Sequence, residues 1–319
     1  MFVSHGNLLD GNLKLRHLRY TAAIAEHGSL IAAADHLKIT QPVLTRCLRE
    51  LESILGVELF ERGPRGMTPT VFGHAFVDHA RAVLAELRHT DQHMRELAAG
   101  QTGQVTIGTH LAGANVLLPR AVARLKEAHP DITVVVRHGT LDGLRQDLLT
   151  GELDLVVGTL EMADSSRMTQ VPLYQEPLRL VARVAHPAHS MSKLRIPDLA
   201  DHLWSVPMVG TPLRREVQQL LLRHGLPLPR NRIEVNSYLA VRSLALETDV
   251  LVLLPQLVAE AERDLVPLPL DLGIAETVGL TLPAESPLTP ALRQMLEYLR
   301  QAAVDIRSGL EAAQTYGQK

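Results

Sequence analysis

The sequence predicts an α-helical head joined by one long helix to an α/β body. Three observations predict it. Apolar residues recur at helical spacing near the start, a heptad-like seam follows for about three repeats, and from Val105 strand-like and helix-like segments alternate. At 319 residues the chain is long enough for two or three domains, and 46% hydrophobic against 21% charged residues describes a globular protein with sizeable cores. The longest apolar run, "VLVLLPQLVA" from Val250, falls well short of the ~18 residues that suggest a membrane span. The opening "MFVSHGNLLDGNLK" lacks the charged head and apolar stretch of a signal peptide, and Cys47, the sole cysteine, leaves no internal disulfide to form. A cytoplasmic location is expected.

The formal charge of -3 does not advertise a polyanionic partner, but its distribution is uneven: Lys14 to Thr70 carries +2 and everything after Thr70 carries -4. Placement of the cations therefore matters more than their number.

In the head, Leu18, Ala22 and Ala25 recur at helical spacing, and "HGS" ends that helix before Ser29, a good N-cap for the next. Leu30, Ala33, Ala34 and Leu37 mark a short second helix whose alanines permit close helix approach. Thr40 is expected to cap a third helix, putting Gln41 and Pro42 in a first turn where proline's missing N–H costs nothing. Leu44, Leu48, Leu51 and Leu55 form its buried stripe, and Pro42, Thr45, Arg46, Arg49 and Ser53 lie roughly opposite. A charged face alone is the ordinary fate of arginine. Two short helices joined by the three-residue "KIT" turn, the second led by Gln41, Thr45 and Arg46, instead suggest a helix-turn-helix with its recognition helix. The following "LFERGPRGMTPT" fits two extended pieces about a turn, with Arg62 and Arg65 on a wing.

The run "AAIAEHGSLIAAADHLKITQPVLTRCLRELESILGVELFERGPRGMTPTVFG", Ala22 to Gly73, resembles the winged helix-turn-helix of LysR-type transcriptional regulators. The matching features are the alanines of the second helix, "TQP-L-TR", "LE--LG--LFER" and "TP-T--G". The resemblance implies that Gln41, Pro42, Thr45, Arg46 and Arg49 contact the groove or phosphates of double-stranded promoter DNA, and that Arg62 and Arg65 make wing contacts. Arginine can fork onto guanine and glutamine onto adenine, whereas threonine and a helix amino end suit phosphate. Cys47 stands where the family usually has a polar residue; beside the leucine stripe it reads as inert packing rather than a redox switch.

Phe76, Ala80, Val83, Leu87, Thr90, Met94 and Leu97 then keep a 4-3-4-3-4-3 spacing, a heptad seam on a helix of nearly 30 residues. A dimer through this seam would hold two recognition helices about one DNA turn apart, and the resemblance implies the same. The glycine-bearing "AAGQTGQ" reads as a hinge. The expected divisions are a winged helix-turn-helix at 13–70, the linker helix at 71–98, the hinge at 99–104 and an effector-binding region at 105–319.

That last region alternates "VTIGT", a helix to His129, "ITVVVRHG", "LDGLRQDLLTGE" and "LDLVVGTL", then repeats the theme to a final strand "ETVGLTL" and helix "PALRQMLEYLRQAA". Alternation predicts a parallel sheet with helices on its faces. The resemblance implies two α/β subdomains like those of periplasmic binding proteins, the first at 105–170 and 269–308 and the second at 171–268, with crossings near Val171 and Leu268. Ligands of such sheets bind beyond the carboxyl ends of strands. Those ends carry Thr109, His110, Thr140, Thr159, Gly210, Thr211, Ser237 and Tyr238. Each Ser or Thr alone reads as a helix cap; their convergence, and the family's use of matching positions, make them candidates for an effector site. Helix amino ends favour an anion, and a sugar also fits, so the expected effector is an organic acid or sugar, with no cofactor.

Catalytic motifs are thin. "SMSK" matches S-x-x-K but has neither companion motif, and His186 and His189 of "HPAH" lack a third ligand at metal-site spacing. No enzyme is expected, and a ligand-binding protein without a DNA role leaves the first hundred residues unexplained. The resemblance further implies a homotetramer, contact with RNA polymerase, and activation more commonly than repression.

Overall fold

The computed structural model describes residues 12–63, 66–98, 103–110, 115–160, 167–209, 211–235, 237–284 and 288–317. The head comprises α1 (Leu15–His27), α2 (Leu30–His36), α3 (Gln41–Leu55) and the antiparallel pair β1 (Phe60–Gly63) and β2 (Gly66–Pro69). Ile24, Ala33, Leu44, Leu51 and Leu59 are sealed in one core with Leu30, Leu48 and Val77. The α1 stripe is phased differently from the one expected. His17, Leu18, Thr21, Ala23 and Ile24 are buried, while Ala22 and Ala25 are only half-buried. Two polar side chains occupy the inner face with local backbone bonds: Thr21 Oγ1 donates to His17 O at 2.6 Å, and His17 Nδ1 accepts from Lys14 N at 3.1 Å, its Nε2 lying 3.6 Å from Glu50 Oε2.

Thr40 has the extended backbone of an N-cap but makes no side-chain capping bond. An N-cap oxygen bonds the N–H of the second or third helical residue. Here the second is Pro42, which has none, and Val43 N already donates to Thr40 O at 3.0 Å. The start of α3 is thus set by proline and not by a threonine cap.

The "LE--LG--LFER" pattern has a direct physical meaning. Glu52, on α3, accepts from Leu59 N at 2.8 Å and Phe60 N at 3.4 Å, so a helix carboxylate receives the opening amides of the wing. Gly66 (φ +115°) lies where a Cβ would stand 2.2 Å from Gly28 O, and Met67 N donates to that oxygen at 2.8 Å. The wing is thereby seated on the α1–α2 turn.

The linker helix α4 runs Val71–Ala98. Phe76, Val77 and Ala80 pack into the head. Farther along the seam Val83, Leu87, Met94 and Leu97 stay 46–57% exposed.

The body contains β3 (Gln104–Thr109), α5 (Leu117–Ala128), β4 (Thr133–His138), α6 (Leu141–Leu149), β5 (Leu155–Thr159), β6 (Met168–Arg183) and β7 (Leu203–Val206). It continues with α7 (Pro212–Arg223), β8 (Arg232–Glu234), α8 (Tyr238–Glu247), β9 (Val250–Pro255), α9 (Gln256–Ala261), β10 (Leu265–Pro267), β11 (Ala275–Pro283) and α10 (Pro290–Gly317). Strand order is β4-β3-β5-β11-β6-β9-β7-β8, with β10 beside β6. The sheet is mixed, not parallel as alternation suggested: β3, β4 and β5 run parallel, as do β7, β8 and β9, but β6 and β11 pair antiparallel with their neighbours.

β6 begins at Met168, well before the strand-like stretch "LRLVARV" from Leu178. Pro172 and Pro177 disguise that extension, since proline cannot donate to a ladder; a register shift opposite Val278 and Gly279 skips Leu173 beside Pro172. The two body cores meet on these strands. Tyr174 and Val278 belong to the core under α5 and α10, and Leu178 and Ile274 to the core under α7. The chain therefore crosses between subdomains at 175–177 and 275–277, later than Val171 and Leu268, with Glu176 opposite Glu276. Of the expected hinge, Gln104 already belongs to β3, opposite Thr133, and residues 99–102 lie outside the described residues.

Candidate DNA-reading face and effector cleft

The leucine stripe fixes α3 with Leu44, Leu48 and Leu51 inward, which turns Gln41, Pro42, Arg46 and Arg49 to solvent. Thr45 is half-buried, its Oγ1 enclosed with no partner among the described residues. Arg62 is exposed on β1, and Arg65 lies outside the described residues. Among the described residues Arg46, Arg49 and Arg62 make no ion pair, whereas Lys14 and Arg16, at the start of α1, share one carboxylate: Glu50 lies 3.4 Å from Lys14 Nζ and 2.9 Å from Arg16 Nη2. The head's unneutralised charge thus includes the outer face of α3 and the wing. Cys47 is buried, and that burial pushes its thiol up, away from the reactive thiolate.

In the body, most of the proposed strand-end groups have protein partners. Thr140, Thr211 and Ser237 cap α6, α7 and α8, accepting from Gly143 N, Arg214 N and Ala240 N at 3.3, 3.3 and 3.5 Å. Thr109 is buried, and its Oγ1 donates to Val157 O at 2.8 Å, tying β3 to β5. Tyr238 donates its hydroxyl to Glu262. Gly210 lies outside the described residues. His110 lies over Gly158, where a Cβ would come within 2.5 Å of the imidazole Nε2. Beside it Thr159 Oγ1 donates to Glu276 Oε2 at 3.0 Å.

Sequence reasoning missed the groups that give this region its chemistry. A shallow, open depression is lined by α6 (Leu141, Arg145, Leu148) and by residues of the sheet including Gly158, Thr159 and Gln170. Arg145 is half-buried and has no hydrogen-bond or ion-pair partner among the described residues. Glu176, 1% exposed, accepts from Leu257 N at 3.1 Å through Oε1, while Oε2 has no partner among the described residues. Burial, outweighing that backbone bond and reinforced by Glu276 and Glu260, pushes Glu176 up to about 7. Burial likewise raises Glu276, against the bond from Thr159 and with repulsion from Glu216. No spacing rule could pair Glu176 with Glu276, since they meet only through the antiparallel register of the crossover.

The "HPAH" histidines gather with a third that spacing did not reveal. The His186 and His202 rings are 5.3 Å apart, and burial lowers the His186 pKa despite Asp249. Among the described residues, no group of three or more His, Cys, Asp or Glu is arranged to hold a metal ion, and no helix is long and apolar enough to cross a membrane.

Two family models match nearly the whole chain: "Bacterial regulatory helix-turn-helix protein, lysR family" over residues 15–74 and "LysR substrate binding domain" over residues 98–304. The transcriptional regulator GbpR of Azospirillum brasilense is 32% identical over 314 residues, covering 96% of this chain and 92% of that one. Among solved structures, the crystal structure of CbnR, a LysR family transcriptional regulator, is similar with a TM-score of 0.60 at 26% identity, covering 91% of this chain and 99% of that one. The structure of full-length CbnR with its target DNA matches with a TM-score of 0.51 at 25% identity, covering 91% and 100%. With a helix-turn-helix model over its head and a substrate-binding model over its body, the chain belongs to the LysR family of DNA-binding transcriptional regulators.

Proposed function

We propose that this regulator docks α3 in the major groove of an inverted-repeat promoter site, with the wing arginines on flanking backbone. The observation that carries the reading is a face of cations without ion pairs among the described residues: Arg46, Arg49 and Arg62 lie exposed beside Gln41, whereas Lys14 and Arg16 share Glu50. The exposed seam of Val83, Leu87, Met94 and Leu97 supports a dimer through α4. A tetramer in the cytoplasm follows from family likeness. Footprinting tests the recognition face: Arg46→Ala is expected to lose or relax operator protection at a groove position, by ~1–3 kcal/mol, with the fold intact. Unchanged protection on the native operator removes Arg46 from the interface.

The body is proposed to bind a small organic acid, its carboxylate at Arg145 and its polar groups near Thr159. A half-buried guanidinium without a partner among the described residues, beside a depression, supports this class. A second reading, a sugar, is favoured by Glu176 and Glu276, whose carboxyls suit hydroxyl donors. Titrating the effector against Arg145→Gln and Glu276→Gln separates the two. An acid loses affinity chiefly with the first variant, a sugar chiefly with the second, and an unaltered titration in both discards this site.

A further inference from the structure

The linker helix α4 carries a second stripe that the heptad seam does not use. Asp78, Arg81, Ala85 and Arg88 follow a 3-4-3 spacing, and at about 100° per residue this stripe lies nearly back to back with Val83 and Leu87. Every member meets the body. Arg167, just before β6, donates through Nη1 to Asp78 O at 2.6 Å and sets Nη2 3.6 Å from Asp78 Oδ1. With its amide oxygen turned toward α4, Gln146 of α6 accepts from Arg81 Nε and Nη1, both at 3.2 Å. Ala85 is 8% exposed because Gly151 packs on it so closely that a Cβ there would stand 2.8 Å from Ala85 Cα. Arg88 Nη1 lies 3.9 Å from Glu152 Oε1, and Arg137 holds the other oxygen of Glu152 at 3.7 Å.

We propose that this polar stripe is a docking surface for the chain's own regulatory body, a clasp that fixes how the body hangs from the linker helix. A clasp of this kind overrides the free hinge that "AAGQTGQ" suggests. The packing is specific: Gly151 has φ +71°, a conformation that other residues adopt with strain, and also lacks room for a side chain. The ion pairs are partly exposed and individually weak, which suits a contact made to open. The two stripes face apart, so a second copy can occupy the apolar seam while the clasp stays closed.

The clasp also has a route to the ligand. Its Gln146 and Gly151 sit in and just after α6, whose Leu141 and Arg145 line the depression assigned above to the effector. This link alone rests on that assignment; the clasp does not. A ligand drawing Arg145 inward shifts α6 on α4, and shifts the arrangement only insofar as it binds one state better.

The test is a charge-swap cycle on the full chain, without ligand or DNA: Asp78→Arg, Arg167→Asp and the double variant, read by amide exchange and solution scattering. Each single variant is expected to speed exchange at 145–152 by roughly threefold to tenfold and to enlarge the particle, while β9 amides keep their protection as the control for folding. The double variant is expected to restore both readings. Single variants that match the wild type, or a double variant no better than the singles, overturn the clasp. Cross-linking Arg88→Cys to Glu152→Cys in mixed, differently tagged protein decides its partner: a bond within one chain supports the proposal, and a bond found only between chains overturns it.

Discussion

The head and the body handle polar groups in opposite ways. On the head, Arg46, Arg49 and Arg62 face solvent without partners among the described residues, so the charge available for a nucleic acid is what the helix wheel and the turn predict. In the body, Thr140, Thr211 and Ser237 are committed to caps, and among the described residues the groups without a partner include Arg145 and one oxygen of Glu176. A convex interface displays its chemistry on an amphipathic helix, where periodicity reveals it. A concave one assembles from strands and helices distant in sequence, where local pattern reports the scaffold first.

The largest effect that can break this comparison is on the head's core. Leu51 is fully buried between α1, α2 and the wing, and Leu51→Ala is expected to cost about 2–5 kcal/mol. Amide exchange should quicken across α1–α3 while β9 keeps its protection. Equal loss in both halves would show that they unfold as one unit and that the clasp couples them more strongly than its exposed pairs suggest.

The next effect tests the body through pH. Glu176 titrates near 7 in the folded chain, above an ordinary carboxylate near 4.5, so the folded state holds this proton more tightly than the unfolded one. Stability from this group is complete below about pH 4.5 and is lost as pH rises through 7. Glu176→Gln keeps an acceptor for Leu257 N and removes the titration. The variant should match the wild type near pH 4.5 and exceed it at pH 8 by on the order of 3 kcal/mol in urea unfolding. A constant difference across that range would assign the group an ordinary pKa and the crossover no stored repulsion.

These two sites also mark how far sequence reaches. Leu44, Leu48 and Leu51 were legible because a 3.6-residue period reports its own buried face. The α1 phase was not, since the buried polar side chains His17 and Thr21 take backbone partners through Nδ1 and Oγ1. In the body the strand "VLVLLP" was plain, but the first half of β6 was hidden by two prolines and the mixed strand order by the return of β11. Thr140, Thr211 and Ser237, ligand candidates at strand ends, also cap helices because capping and ligand binding use the same residue types at the same helix amino ends.

A smaller effect separates motif from scaffold within the head. Glu52→Ala strips the acceptor from Leu59 N and Phe60 N and should cost about 1–3 kcal/mol, with the wing amides exchanging first. Glu52→Gln, which retains an oxygen, should recover most of it. If alanine and glutamine behave alike, the "LE" of the motif is held for some reason other than seating the wing.

The smallest effect is the sharpest test of capping. Thr70 and Thr40 both precede helices, yet only Thr70 spends its hydroxyl: Oγ1 accepts from Gly73 N at 3.0 Å and donates to Glu58 O at 2.8 Å. Thr40 makes no capping bond because Pro42 removes the amide it would serve. Thr70→Ala is therefore expected to lower stability by about 1 kcal/mol and Thr40→Ala by no more than a few tenths, read as urea midpoints of the head. Equal losses would mean that Thr40 reaches Val43 N in solution and that proline shares the start of α3 with its cap.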